Sequence, residues 1–138
     1  MNKYLGIALV VVALALAIVP HYTDCLAHGA TVTLASGATQ PMKCHWTAQA
    51  EIAAGVPLAA VGIMVAASRR KSLLLGASIL GVLLGAMAIA IPNSLIGTCG
   101  MATHVCNTEM KPSITGLASV GIVFSMVGMM ISWKGKTT

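Results

Sequence analysis

Residues 48–91 read AQAEIAAGVPLAAVGIMVAA, then SRRK, then SLLLGASILGVLLGAMAIAI. Each flank is a run of 20 residues, and Glu51 is the single charged side chain in either. A hydrocarbon core about 30 Å thick is crossed by about 20 helical residues rising 1.5 Å each, so each flank is a membrane span. Ser68-Arg69-Arg70-Lys71 is too short to do anything but turn the chain around, so the two spans form an antiparallel hairpin. Its three cations also mark one side of the membrane.

Two further apolar runs lie outward from this hairpin, Tyr4 to Val19 before it and Ser113 to Trp133 after it. The sequence therefore predicts an all-α membrane protein, a four-transmembrane-helix bundle forming a single domain over residues 1–138. Its spans are expected at about 4–19, 48–67, 72–91 and 113–133, with outer loops at about 20–47 and 92–112. Pro20, Pro92 and Pro112 mark expected borders, while Pro57 falls inside the second span and should bend it. Lys3 followed by an apolar run and Ala13-Leu14-Ala15-Leu16-Ala17 has some character of a cleavable secretory signal. We expect the segment to be retained as a span, and either reading leaves the next loop on the same side.

Composition agrees with lipid as solvent: 57% of residues are hydrophobic and 8% charged, with a mean hydropathy of +0.90. That leaves no room for a large enzymatic ectodomain. The net charge of +5 is not a nucleic-acid signal, because the cations sit beside apolar runs without an aromatic-basic patch. Under alternating topology Lys3, Arg69, Arg70, Lys71, Lys134 and Lys136 fall on one side, against Lys43 and Lys111 on the other. The excess of Lys and Arg stays in the cytoplasm, so both termini are expected to be cytoplasmic, in a multi-pass protein of the inner membrane. Trp46 and Trp133, at span ends, suit interfacial anchors.

Small residues recur at helical spacing: Gly55 and Gly62, then Ala77, Gly81 and Gly85, then Gly121, Ser125 and Gly128. They allow close backbone approach where lipid and protein are equally apolar. We expect the Gly81 to Gly85 motif to serve packing within the chain, although such motifs also make homo-oligomers.

All four cysteines and all four histidines fall in the two outer loops or at their edges. Thr31-Val32-Thr33-Leu34 and Thr39-Gln40-Pro41-Met42-Lys43 around Ser36-Gly37 predict a short β-hairpin in an extracytoplasmic cap. Outside the cytoplasm disulfides persist, so Cys25, Cys44, Cys99 and Cys106 read first as braces. Four cysteines allow three pairings. Cys25 with Cys44 and Cys99 with Cys106 would close two local loops.

The same segments are dense in soft ligands. Met42, Cys44 and His45 precede the second span, and Met101, His104, Cys106 and Met110 precede the fourth. Thioether, thiolate and imidazole suit copper, and methionine or histidine can ligate haem. No zinc-type spacing is present. If the cysteines are oxidised, His45, Met101, His104 and Met110 remain as the candidate metal set. Glu51 shares a helical stripe with Cys44, Ala48, Gly55 and Gly62, which turns it toward the bundle interior. His45, His104 or Lys111 is its expected partner.

The stretches Met42-Lys43-Cys44-His45-Trp46-Thr47-Ala48-Gln49-Ala50-Glu51 and Leu95-Ile96-Gly97-Thr98-Cys99-Gly100-Met101, with His104, Cys106 and Met110-Lys111-Pro112, resemble a family of small bacterial and archaeal four-span membrane proteins catalogued as a domain of unknown function. The resemblance covers nearly the whole chain. It implies the topology just derived and, through members encoded beside ABC-transporter components, a transporter partner. It implies no catalytic residue.

Three functions follow as expectations. One is an accessory or assembly subunit of a membrane complex, an ABC-type transporter among them, in contact with the bilayer and with other integral membrane subunits. Another is a copper or haem handling protein using the outer His/Met/Cys cluster. The third is a quinone-linked thiol oxidoreductase, disfavoured by the lack of a CxxC motif. Serines such as Ser78, Ser119 and Ser125 lie in apolar spans while every histidine is at the outer side, and no phosphate-cradling glycine loop exists, so neither a hydrolase nor a nucleotide-binding reading holds and a non-catalytic role is expected.

Overall fold

The computed structural model describes residues 2–26, 28–100 and 103–134. In chain order it contains α1 (Asn2–Thr23), the strands β1 (Thr31–Thr33) and β2 (Thr39–Pro41), then α2 (Lys43–Ala67), α3 (Lys71–Ala90) and α4 (Lys111–Lys134). Four helical segments are long and apolar enough to cross a membrane, which makes this a multi-pass membrane protein.

Each helix has one inward stripe. In α2 it runs Cys44, Ala48, Glu51, Gly55, Leu58, Gly62, Val65, and in α4 Ile114, Ala118, Gly121, Ser125, Gly128, Ser132. The alternating steps of four and three average 3.5 residues, the repeat of helices packed side by side in a left-handed bundle. The opposite stripe of α1, Tyr4, Ile7, Val11, Leu14 and Ile18, is exposed, as a lipid-facing surface must be. Trp46 and Trp133 are exposed at helix ends.

Every helix packs against its neighbours in sequence, and α1 meets α4 to close the ring. The small residues make these seams possible. A methyl group at Gly55 would lie 3.1 Å from the Ala13 carbonyl oxygen, and one at Gly62 would lie 2.9 Å from the Val10 nitrogen. Gly81 faces Ser125, and Gly85 faces Ile122 and Ala118, so the expected contacts of this motif form within the chain.

At the end carrying the cysteines α1, α2 and α4 exceed the expected spans. Pro20 does not stop α1, which continues to Thr23. A proline removes one hydrogen bond, but here its ring is fully buried and Thr23 Oγ1 donates 2.8 Å back to the Val19 carbonyl. Likewise α2 continues through Pro57. Beyond α3 and before α4 lie two single wide turns with five-residue hydrogen-bond spacing, Ile91–Leu95 and Cys106–Met110. Pro92 sits in the first, and Pro112 lies in the opening turn of α4.

β1 and β2 pair antiparallel with Thr31 opposite Pro41, and Gly37 takes φ 81° in the connecting turn. The hairpin is exposed, with Ala30 and Met42 at its base packed on the bundle core.

Candidate functional site: a four-cysteine centre

In an up-and-down bundle the end of α1, the start of α2, the end of α3 and the start of α4 share one end of the molecule. Cys25 follows α1, Cys44 is in the first turn of α2, Cys99 lies beyond the wide turn after α3, and Cys106 opens the wide turn into α4. All four Sγ atoms lie within 4.8 Å of one another. Cys25 is in disulfide contact with both Cys44 and Cys106. Cys99 Sγ lies 3.1 Å from Cys44, 3.8 Å from Cys25 and 3.8 Å from the Met42 thioether. A sulfur forms one disulfide at a time, so Cys25 has alternative partners within reach.

Cys25, Cys44 and Cys106 are buried, whereas Cys99 is half-buried. Their surroundings are apolar, with Ala48, Met110 and Ile114 in the same core cluster. The segment that carries Cys99 is fixed by polar bonds: Thr47 Oγ1 donates 2.6 Å to the Gly97 carbonyl, and Asn107 Nδ2 donates 2.7 Å to the Cys99 carbonyl. Thr98 in turn donates its hydroxyl to the Asn107 side-chain oxygen.

Beside the centre, His45 Nδ1 meets Asp24 Oδ2 at 2.6 Å. Each of these two residues is the chain neighbour of a clustered cysteine. His45 is thus paired with Asp24 and not with Glu51. Glu51 is fully buried, and neither of its carboxylate oxygens has a hydrogen-bond partner among the described residues. Ser78 Oγ likewise has no partner among the described residues, while Ser119 and Ser125 bond back to carbonyls one turn earlier.

Of the sequence-based metal set, His45 is the residue paired with Asp24. Met110 is buried in the core beside Cys106, and the His104 carbonyl accepts from the Asn107 amide. Met101 lies outside the described residues. The side chains that sequence reasoning missed are Asp24, Thr47 and Asn107. Only Asp24, an acid next to a cysteine, left a signal, since hydroxyl and amide groups at helix ends are too common to single out.

The family described as Domain of unknown function (DUF4418) matches residues 5–131, nearly the whole chain. The chain belongs to this family. No curated protein and no solved structure matches it. Across the family match, the four cysteines and the Asp24–His45 pair all lie inside the shared region.

Four thiolates could hold a tetrahedral ion, in which sulfurs about 3.8 Å apart surround a metal at about 2.3 Å. Thiols and disulfides are both neutral, however, and neutral states suit three buried sulfurs among alanine, methionine and isoleucine better than the net negative charge that four thiolates keep around a divalent ion.

Proposed function

We propose that this DUF4418 member is a thiol–disulfide redox protein acting at the extracytoplasmic face of the membrane. The observation that carries the reading is the mutual approach of four sulfurs with Cys25 shared between two partners. A pure brace needs each cysteine near one partner. A centre that exchanges partners needs what is seen here, several sulfurs in reach of each other and one, Cys99, closer to solvent. The excess of Lys and Arg at the opposite end, Lys3, Arg69, Arg70 and Lys71, supports an outward-facing centre in an inner membrane.

The chemistry is thiol–disulfide exchange. A substrate thiolate attacks a sulfur of the oxidised centre and displaces its partner as a thiolate, which takes up a proton. A second substrate thiolate then displaces the protein sulfur, so two electrons enter the protein and the substrate leaves as a disulfide. The centre occupies a chain with little surface outside the bilayer, which supports a role as accessory subunit of a larger complex, with an ABC-type transporter as the partner that the family resemblance offers.

Native membranes treated with a polymer-linked maleimide, before and after reduction, test this directly. We expect the number of alkylated cysteines to follow the redox buffer reversibly between none and four. Four thiols reactive under every condition, or disulfides inert to reductant in the folded protein, would overturn it. One observation favours a second reading: the Met42 thioether 3.8 Å from Cys99 adds a soft donor, as copper(I) prefers. Stoichiometric copper in the purified protein, with all four thiols shielded from maleimide, would decide for that reading.

A further inference from the structure

A thiol centre that oxidises substrates must pass its electrons on to an acceptor. We propose that a membrane quinone binds in the cavity between the end of α1 and the start of α2, hydrogen-bonded by His45, and reoxidises the four-cysteine centre; this rests on the redox reading above.

The cavity holds about 410 Å³ and is lined by Leu26, Ala48 and Ile52 together with His21, Tyr22, Asp24, His45 and Gln49. That volume lies within the roughly 300–1,000 Å³ of small-molecule sites and suits one substituted aromatic ring. The exposed wall surface is mostly apolar, and His45 with His21 or Gln49 supplies donors for the two carbonyl oxygens that are the only groups of a quinone head to seek hydrogen bonds. The cavity of similar size on the α2–α3 seam, lined by Pro57, Leu84, Met87 and Ile91, offers no ionisable side chain.

The position is as specific as the shape. Tyr22, 71% exposed, and Ile18, 52% exposed, continue the lipid-facing stripe of α1 to the rim. An isoprenoid tail can therefore lie along the bundle while the ring enters from the bilayer edge. Asp24 and His45 are adjacent in sequence to Cys25 and Cys44, so the polar side of the cavity and the sulfur centre share the same two chain segments. With Nδ1 engaged by Asp24 at 2.6 Å, the second ring nitrogen, Nε2, is the one left for a ligand oxygen. The Asp24 carboxylate disfavours the anionic phosphate of a lipid headgroup, the other amphiphile available at this depth.

The reaction balances without another reactant. Two cysteine thiols give up two protons and two electrons as the S–S bond forms, and the quinone takes both protons and both electrons to become a quinol. His45 stabilises the charge that develops on the quinone oxygen as electrons arrive, with Asp24 holding the ring in place.

The test uses the full chain in detergent, reduced anaerobically and freed of reductant, then mixed with a one-isoprene ubiquinone or menaquinone. We expect one quinone consumed per two thiols lost. His45→Ala should slow this step by about tenfold or more, the loss of one charge-assisted hydrogen bond. Ile52→Trp, which fills the apolar wall and leaves the polar groups intact, should slow it as well. Diamide, which needs no binding site, should still oxidise the thiols of both variants to completion, and this shows that the centre is folded. Oxidation of the wild type by diamide but not by either quinone would overturn the quinone site and leave the redox reading standing. Failure with both oxidants would overturn the redox reading itself. Quinone oxidation unchanged in both variants, or a cavity retaining phospholipid only, would overturn the assignment of this cavity.

Discussion

At the scale of single residues, Cys25 and Cys99 are not equivalent. Cys25 is buried among the three other sulfurs, while Cys99 sits at the half-buried edge of the centre. Cys25→Ser should therefore lower stability by about 2–4 kcal/mol, the usual loss of a native cross-link, and Cys99→Ser by clearly less. Thermal unfolding in detergent measures both, and equal losses would count against Cys25 as the hub. Glu51 gives the opposite expectation. Its buried oxygens have no hydrogen-bond partner among the described residues, so Glu51→Met, which removes an unsatisfied group at similar volume, should raise stability by about 1–3 kcal/mol. A destabilised Glu51→Met protein would mean that the carboxyl is engaged by a group outside the described residues.

At the scale of elements, the seams depend on missing side chains. Gly62 backs onto Val10 of α1 so closely that a Cβ would stand 2.9 Å from backbone, whereas Gly116 of α4 faces open space. Gly62→Leu should cost about 1–3 kcal/mol through overpacking, and Gly116→Ala should be neutral or stabilising by up to about 1 kcal/mol through helix propensity. Comparing the two in one unfolding assay separates packing from any general intolerance to substitution. These helices were legible in the sequence because twenty apolar residues have few soluble alternatives, and the inward stripes follow from small residues at helical spacing. The ends were not. Pro20 was read as a border because a proline breaks a hydrogen bond, yet burial of its ring keeps α1 helical to Thr23. The wide turns at Ile91–Leu95 and Cys106–Met110 have no periodic signature, and they shape the ends of α3 and α4 near Cys99 and Cys106. Sequence thus placed the four cysteines at one end through topology alone, while their convergence to within 4.8 Å depends on loop paths that periodicity does not encode. The Asp24–His45 pair, 21 residues apart across the hairpin, is hidden for the same reason.

At the scale of the molecule, everything said of redox chemistry depends on which compartment the cysteine centre faces, and charge supplies the argument. The turn between α2 and α3 presents Arg69, Arg70 and Lys71, all exposed, and Lys3 of α1 lies at the same end. The hairpin tip at the other end is exposed and carries Ser36 and Gly37 without any cation. Cations within a short loop resist transfer across an energised membrane, so the α2–α3 turn should stay inside. In intact cells a membrane-impermeant maleimide should label Ser36→Cys above the wild-type background, and Arg69→Cys only after the membrane is permeabilised. Two cations remain in the turn of the second variant, so its topology should hold. The reverse pattern would put the four sulfurs in a reducing compartment, where persistent disulfides are rare and a bound soft metal becomes the better use of four converging thiols. The labelling experiment therefore tests the orientation and separates the two chemistries that the centre supports.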